Sequence, residues 1–413
     1  MKYCREEKIY SAEINAMQSG LNYQKDSGVL PKPVAQHLYG SFDTTSVSRV
    51  EVYNRCPCMY YGCYGLKLEP RQEFKVRSRD VGQIYHSILA YVLEKLLQAE
   101  TDFSNLKLSN VVELVQEAIA VCTANGISSL LNDTEKNSYL QYKITAVVTN
   151  SIMDIAKQMA KGNFRPMGFE VRFGSKSEIK GLTIQLPDGK KITIHGFIDR
   201  IDMAKSELGE YYRIIDYKIS GKNLDLNDIY YGLNWQMPIY LEAVLNSRRT
   251  DKEKNIKPAG MFYFPVKETV NSVENPNEQA KKIQKLQGLI ILDDEAIRLA
   301  ENDFFENSSA ETMDLKLKKN GDFGKNARTI NGFQYDIILT YIKKRLSENL
   351  SNIINGNISQ IPVLNNNKYS CEFCDFRKIC ILDNCLRLDY CKIQNHKPED
   401  VINIMRSDVG WDE

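Results

Sequence analysis

The chain has 413 residues, with 54 Lys and Arg against 53 Asp and Glu, for a net charge of +1. That balance excludes a non-specific nucleic-acid coat protein, whose affinity rests on a large surplus of basic residues. No apolar run reaches the ~18 residues that a membrane span requires, and Met1 to Asn22 carries scattered charges in place of a signal-peptide core, so a cytoplasmic protein without a membrane partner is expected.

Residues 1–45 read as a polar leader punctuated by Gly20, Gly28, Pro31 and Pro33, before one domain over 46–392 and a tail over 393–413. Residues 80–99 predict an amphipathic helix, because Ile84, Ile88, Val92 and Leu96 recur every fourth position with Leu89, Leu93 and Leu97 beside them. His86 lies in its first turns, where a lone histidine is more often a core residue than a ligand. Residues 108–160 predict further helices, broken at Gly126 and at Asn132-Asp133. Strands follow at 169–173, 181–186, 191–202 and 211–219, forming the heart of a mixed sheet. Glu170 on the first of these has two readings, as a support for a site or as a solvent-facing strand residue. A helix over 229–247 and a strand over 258–266 complete the sheet region. Residues 267–330 are polar and predict an insertion, with a short helix near 276–286 and a loop at 318–328. A long helix over 331–356 leads to a run of cysteines.

The chemistry concentrates in Gly196-Phe197-Ile198-Asp199-Arg200-Ile201-Asp202 and Ile214-Ile215-Asp216-Tyr217-Lys218, two strands of a predicted hairpin with Asp199 placed at the end of the first. Side chains alternate along a strand, so Asp216 and Lys218 share a face and Tyr217 points away. Two carboxylates converging at the ends of buried strands repel one another unless a cation lies between them. Mg²⁺ or Mn²⁺ suits such oxygen donors. A lysine beside that ion fits metal-assisted phosphodiester hydrolysis.

Of the ten cysteines, Cys371, Cys374 and Cys380 form a C-x2-C-x5-C run. In a chain without secretory features this favours metal or cluster ligation over disulfides. Three close thiolates leave a tetrahedral metal or an iron–sulfur cluster one ligand short. Cys56, followed by Pro57, is the obvious donor, while Cys385 and Cys391 offer a purely local alternative. Zinc suits four thiolates equally well. Cys58, Cys63 and Cys122 are read as ordinary buried small residues.

Taken in serial order, these pieces resemble the RecB-like branch of the PD-(D/E)XK nucleases, and within it the nuclease domain of the AddB family, the B subunits of AddAB helicase–nucleases. The resemblance runs from about Leu38 to Tyr390. It includes Thr45 to Glu51, Cys56-Pro57, Tyr64 to Leu68, Asp80 to His86, Tyr231 to Leu241 and Pro258 to Phe264. It implies a restriction-endonuclease-like α/β fold, a mixed sheet flanked by helices with helical additions and an iron–sulfur staple. It implies His86, Asp199 and Asp216 as metal ligands, Lys218 as the catalytic lysine, and Gln236 and Tyr240 on the motif that contacts the active site or DNA. The carbonyl of Tyr217 is a further candidate metal ligand. Cys56, Cys371, Cys374 and Cys380 fall on the ligands of a [4Fe-4S] cluster. Cys58 stands where an aromatic residue is common. The implied activity is Mg²⁺-dependent exonucleolytic cleavage of single-stranded DNA in double-strand break repair, beside an AddA-like helicase subunit.

The 413 residues hold no G-x-x-x-x-G-K-[ST] loop for ATP, nor the helicase-like region that precedes the nuclease in AddB, so a truncated or split AddB is expected. The alternatives are a free-standing RecB-like nuclease of the CRISPR-adaptation type and a non-catalytic DNA-binding or assembly module. Lys67 to Arg79 and Lys316 to Arg328 are candidate basic tracks, each also readable as a solvated face. Tyr53, Tyr60, Tyr61 and Tyr64 read as packing around Cys56, with stacking on single-stranded bases as the alternative.

Overall fold

The computed structural model describes residues 11–21, 28–69, 78–124, 135–219, 223–249, 255–266, 283–324, 328–365, 368–378, 380 and 390–411. The chain forms two compact units. The smaller takes its residues from 1–41, 55–69 and 351–392, and the larger from 42–54, 70–350 and 393–413. Each unit joins segments that are far apart in the chain.

The smaller unit contains α1 (Ser11–Leu21) and α2 (Lys32–Tyr39). The larger opens with β1 (Thr44–Ser46) and α3 (Val47–Arg55), whose last residue begins the next segment of the smaller. There α4 (Pro57–Tyr60) runs into a π-type turn over Tyr61–Gly65.

In the larger unit, α5 (Ser78–Gln98), α6 (Leu108–Ala124) and α7 (Glu135–Lys161) precede the sheet. The apolar repeat of α5 is buried: Ile84, Ile88, Val92 and Leu96 share one core with Val115 and Ile119 of α6, Ile144 and Val148 of α7, and Tyr217 and Phe264 of the sheet. Residues 125–134, with the expected breaks at Gly126 and Asn132-Asp133, lie outside the described residues.

The sheet is built on β4 (Lys191–Ser206), which accepts partners along its whole length. Its first half pairs with β1 in parallel and with β3 (Thr183–Gln185) antiparallel, and its second half with β2 (Arg165–Phe173) and β5 (Gly209–Lys218), both antiparallel. The path continues to β6 (Ile256–Pro265), parallel to β5, then to β7 (Gln287–Ile291) and β8 (Thr329–Ile330). A parallel β5–β6 pair needs a crossover. It contains α8 (Leu226–Tyr230) and α9 (Gln236–Arg248), where the sequence predicts one continuous helix. The break is at Gly232, whose φ of 74° is open to glycine and whose missing Cβ leaves room for Asn54 Nδ2, which donates to Gly232 O at 2.8 Å.

Part of the expected insertion belongs to the sheet, since β7 and β8 lie within 267–330. The short apolar run Leu289-Ile290-Ile291 carries this strand, and composition averaged over the whole stretch hides it. Residues 267–282 and 325–327 lie outside the described residues. The helix α10 (Asp294–Ala300) and a short turn, α11 (Phe304–Asn307), follow β7, and α12 (Gly332–Ile354) follows β8. The stretch read as a tail carries a helix, α13 (Pro398–Asp408), with Val401, Ile402 and Met405 buried. No helix among the described residues is long and apolar enough to cross a membrane. The smaller unit ends in a three-stranded sheet in which β9 (Val363–Asn365) lies between β10 (Lys368–Tyr369) and β11 (Cys391–Lys392).

Asp202, Arg200 and Arg213 are buried together in the central sheet. Arg200 donates to both Asp202 oxygens, at 2.6 and 2.8 Å, and Arg213 Nε adds a bond of 2.9 Å to Oδ2. Burial alone would raise the Asp202 carboxyl, but the two guanidiniums overcome it and hold the pKa below the usual carboxylate value. Removing one member of such a group leaves uncompensated buried charge, at a cost of roughly 3–5 kcal/mol. Asp202→Asn is therefore expected to lower unfolding free energy by an amount of that order at neutral pH. The Asp202 contribution is complete above the unfolded carboxylate pKa of about 4 and is lost as pH falls through the lowered folded value. Urea titrations of both proteins should thus converge only in acid, and equal stability at pH 7 would refute the assignment.

Candidate active site

The cross-strand ladder between β4 and β5 ends at Arg200 opposite Ile215. The next opposed residues are Asp199 and Asp216, both buried. Beyond the ladder a side chain takes over from the backbone: Tyr217 N donates to Asp199 Oδ2 at 2.8 Å. Asp199 is within β4, which continues to Ser206, whereas the sequence predicts it at a strand end.

His86 comes to this point from α5. Its Nε2 lies 2.9 Å from Tyr217 O, and its Nδ1 lies 3.3 Å from Asp199 Oδ2 and 3.7 Å from Glu170 Oε1. Ligand atoms of His86, Glu170 and Asp199 lie within 4.8 Å of one another. Asp216 is not part of that trio. Its Oδ2 pairs with Lys218 Nζ at 2.5 Å, and its Oδ1 accepts from Gln236 Nε2 at 3.1 Å. Glu170, which the sequence leaves between two readings, has an exposed side chain whose Oε1 lies near His86 Nδ1. Its backbone lies in the left-handed region, φ 46°, which a glutamate adopts rarely.

The charges act on one another. Burial, and then the Asp199 charge, raise Asp216 to about 7 against the opposing pull of Lys218. Burial would lower the imidazole of His86, but hydrogen bonds to Asp199 and Glu170 raise it to about 10. Burial likewise works against the Lys218 ammonium, and the Asp216 carboxylate overcomes it, so its pKa stays above the ordinary lysine value. Tyr217 turns its ring into the core, edge-on to Phe264. Tyr240 packs edge-on against Phe173 at 5.1 Å, and Gly196 of β4 leaves room for its hydroxyl.

In the smaller unit, Cys56, Cys58, Cys371, Cys374 and Cys380 line one small cavity. Cys58 Sγ lies 3.6 Å from Cys380 Sγ. A Cβ on Gly62 would come within 2.9 Å of the Phe376 ring, so a glycine there lets the two cysteine-bearing segments close on each other. The expectation that Cys122 is a core residue matches its place among Val115 and Ile119. Cys391 lies on β11, and Cys385 falls outside the described residues.

The model of the PD-(D/E)XK nuclease superfamily matches residues 44–381. The chain belongs to the PD-(D/E)XK nuclease superfamily. It is similar to the B subunit of the ATP-dependent helicase/deoxyribonuclease of Listeria welshimeri, 30% identical over 399 residues, which are 95% of this chain and 34% of that one. The corresponding protein of Anoxybacillus flavithermus is 30% identical over 380 residues, 91% of this chain and 33% of the relative. That of Clostridium perfringens is 29% identical over 418 residues, 99% and 36% respectively. The chain thus spans about a third of the length of the relatives it matches.

In this PD-(D/E)XK nuclease one further residue organises the site. The sequence shows Glu51 only as part of a larger match, with no role of its own. Its Oε1 accepts from Trp235 N at 2.8 Å and from Gln236 N at 3.0 Å, capping the N-terminus of α9. Gln236 reaches Asp216 from that first turn. Nothing in the spacing signals this, because cap and helix are 185 residues apart. Glu51→Ala leaves two N–H groups at that helix start without their acceptor and should cost about 1–3 kcal/mol. Glu51→Gln, which keeps an amide oxygen, should recover part of it. Denaturant unfolding of the two variants checks this, and an Ala variant as stable as the parent would contradict the capping role.

Proposed function

We propose that this chain is the nuclease part of an AddAB-type helicase–nuclease and acts as an exonuclease on single-stranded DNA in double-strand break repair. The observation that carries the reading is the placement of Asp199, His86 and the Tyr217 carbonyl at the open end of the β4–β5 pair, with the Asp216–Lys218 pair opposite. The family supports it, as do the names of the relatives, each the B subunit of a helicase/deoxyribonuclease. In the proposal an AddA-like protein provides unwinding and delivers the strand.

The donors on offer are two carboxylates, a carbonyl and an imidazole, a set without thiols that fits Mg²⁺ or Mn²⁺. His86, Asp199, Asp216 and the Tyr217 carbonyl would hold the ion. Bound there, such an ion lowers the pKa of a water and offsets charge on the leaving oxygen. His86 Nε2 now faces a carbonyl, a contact that requires a proton on the ring, so cation and proton compete for one position. Asp199 fixes Tyr217 by accepting its N–H, which in turn sets the direction of the neighbouring Lys218. The Lys218 ammonium orients the attacking water and donates to the phosphate oxygens. Gln236 holds Asp216 on its other oxygen, and Tyr240 lies against Gly196 on the strand that carries Asp199.

Lys218→Ala should retain Mn²⁺ binding in calorimetry yet lose ~10²-fold or more of the cleavage rate on labelled single-stranded DNA, the scale expected when a reacting group is misplaced. Asp216→Ala should lose both. Parental activity in either purified variant would sink the assignment.

The second part of the proposal is that Cys56, Cys371, Cys374 and Cys380 bind a [4Fe-4S] cluster. Thiols around an apolar cavity suit a thiolate-bound centre. Anaerobically purified protein should contain iron and sulfide in about equal amounts, as a cubane requires, and Cys371→Ser should lose both. Zinc without iron in protein never exposed to air would refute it.

A further inference from the structure

A cluster of four irons takes four cysteines, and the cavity presents five. Cys58 is the one the sequence pattern does not ask for. It is the second residue of α4, directly after Pro57, while Cys56 is the extended residue that precedes the helix. Side chains on a helix tilt toward its N-terminus, so the Cys58 thiol leans back toward the end where Cys56 enters the cavity. Its sulfur comes within 3.6 Å of Cys380 Sγ. The backbone under it is anchored, since Cys58 N donates to Ser359 O at 3.2 Å. The ordinary fate of a cysteine is small-residue packing, which Cys122 illustrates in the helical core. Cys58 differs from it by being half-buried on a wall shared with four other thiols.

We infer that Cys58 is a reserve ligand, a thiolate able to take the fourth place on the metal–thiolate centre when Cys56 is unavailable. The inference rests on the reading that this cavity holds such a centre. The site is then a set of four drawn from five, with Cys371, Cys374 and Cys380 common to both arrangements.

The test uses the full chain, purified anaerobically and reconstituted with iron and sulfide, with metal and sulfide content as the readout. Cys56→Ser and Cys58→Ser are each expected to retain most of the parental iron. The double variant is expected to lose it as completely as Cys371→Ser. In the Cys56→Ser protein, Cys58 should resist alkylation until a chelator removes the metal, a mass-spectrometric readout of ligation that does not depend on activity. Circular dichroism confirms that each variant is folded before comparison. A Cys56→Ser variant as empty as the double one, beside a loaded parent, overturns the inference alone. So does a double variant that keeps its iron, or free alkylation of Cys58 in a loaded Cys56→Ser protein. A parent that takes up neither iron nor zinc overturns the centre itself, and the reserve ligand with it.

Discussion

The site depends on the place where β4 and β5 stop sharing backbone hydrogen bonds. Up to Arg200 and Ile215 the two strands satisfy each other, as buried backbone must. One residue further, the Asp199 carboxylate accepts the Tyr217 N–H in place of a carbonyl. That substitution leaves the Tyr217 carbonyl facing His86 and places Asp199 opposite Asp216 at a buried position. Two carboxylates there are costly unless neutralised. The structure answers with a histidine on one side and a lysine on the other, and both stay biased toward their charged forms.

Hydrogen bonds from two sides brace this arrangement. Just inside the ladder, Asp202 locks Arg200 and Arg213 into a buried ionic group, so the strand that carries Asp199 is fixed from within the sheet. On the far side, Glu51 anchors the start of α9, and Gln236 passes that anchoring on to Asp216. Two further buried acids, Asp202 and Glu51, thus flank Asp199 and Asp216, and residue type alone does not tell the four apart, whereas their partners do.

The sequence reveals the parts governed by short periodicity. The α5 repeat and the shared face of Asp216 and Lys218 are local patterns, and the structure keeps them. What it hides is long-range. Glu51 caps a helix far along the chain, β7 is masked by its polar neighbours, and the split between α8 and α9 turns on a single glycine with positive φ. Cys58 reads as a packing residue because its place in the sequence matches no ligand spacing. Only the meeting of two distant segments puts it on the cavity wall. The position of Glu170 is hidden for a similar reason, since its backbone departs from the strand geometry that alternation assumes.

The cavity's construction has a consequence in time. Cys58 and Cys380 are 322 residues apart, and the stretch between them includes nearly all of the larger unit. At a synthesis rate of about 5–20 residues per second, roughly 15–60 s separate the emergence of the two thiols from the ribosome. Cys56 and Cys58 therefore leave the ribosome long before the other walls of their cavity exist. Any centre that draws on both segments is completed only when translation of this region is nearly finished.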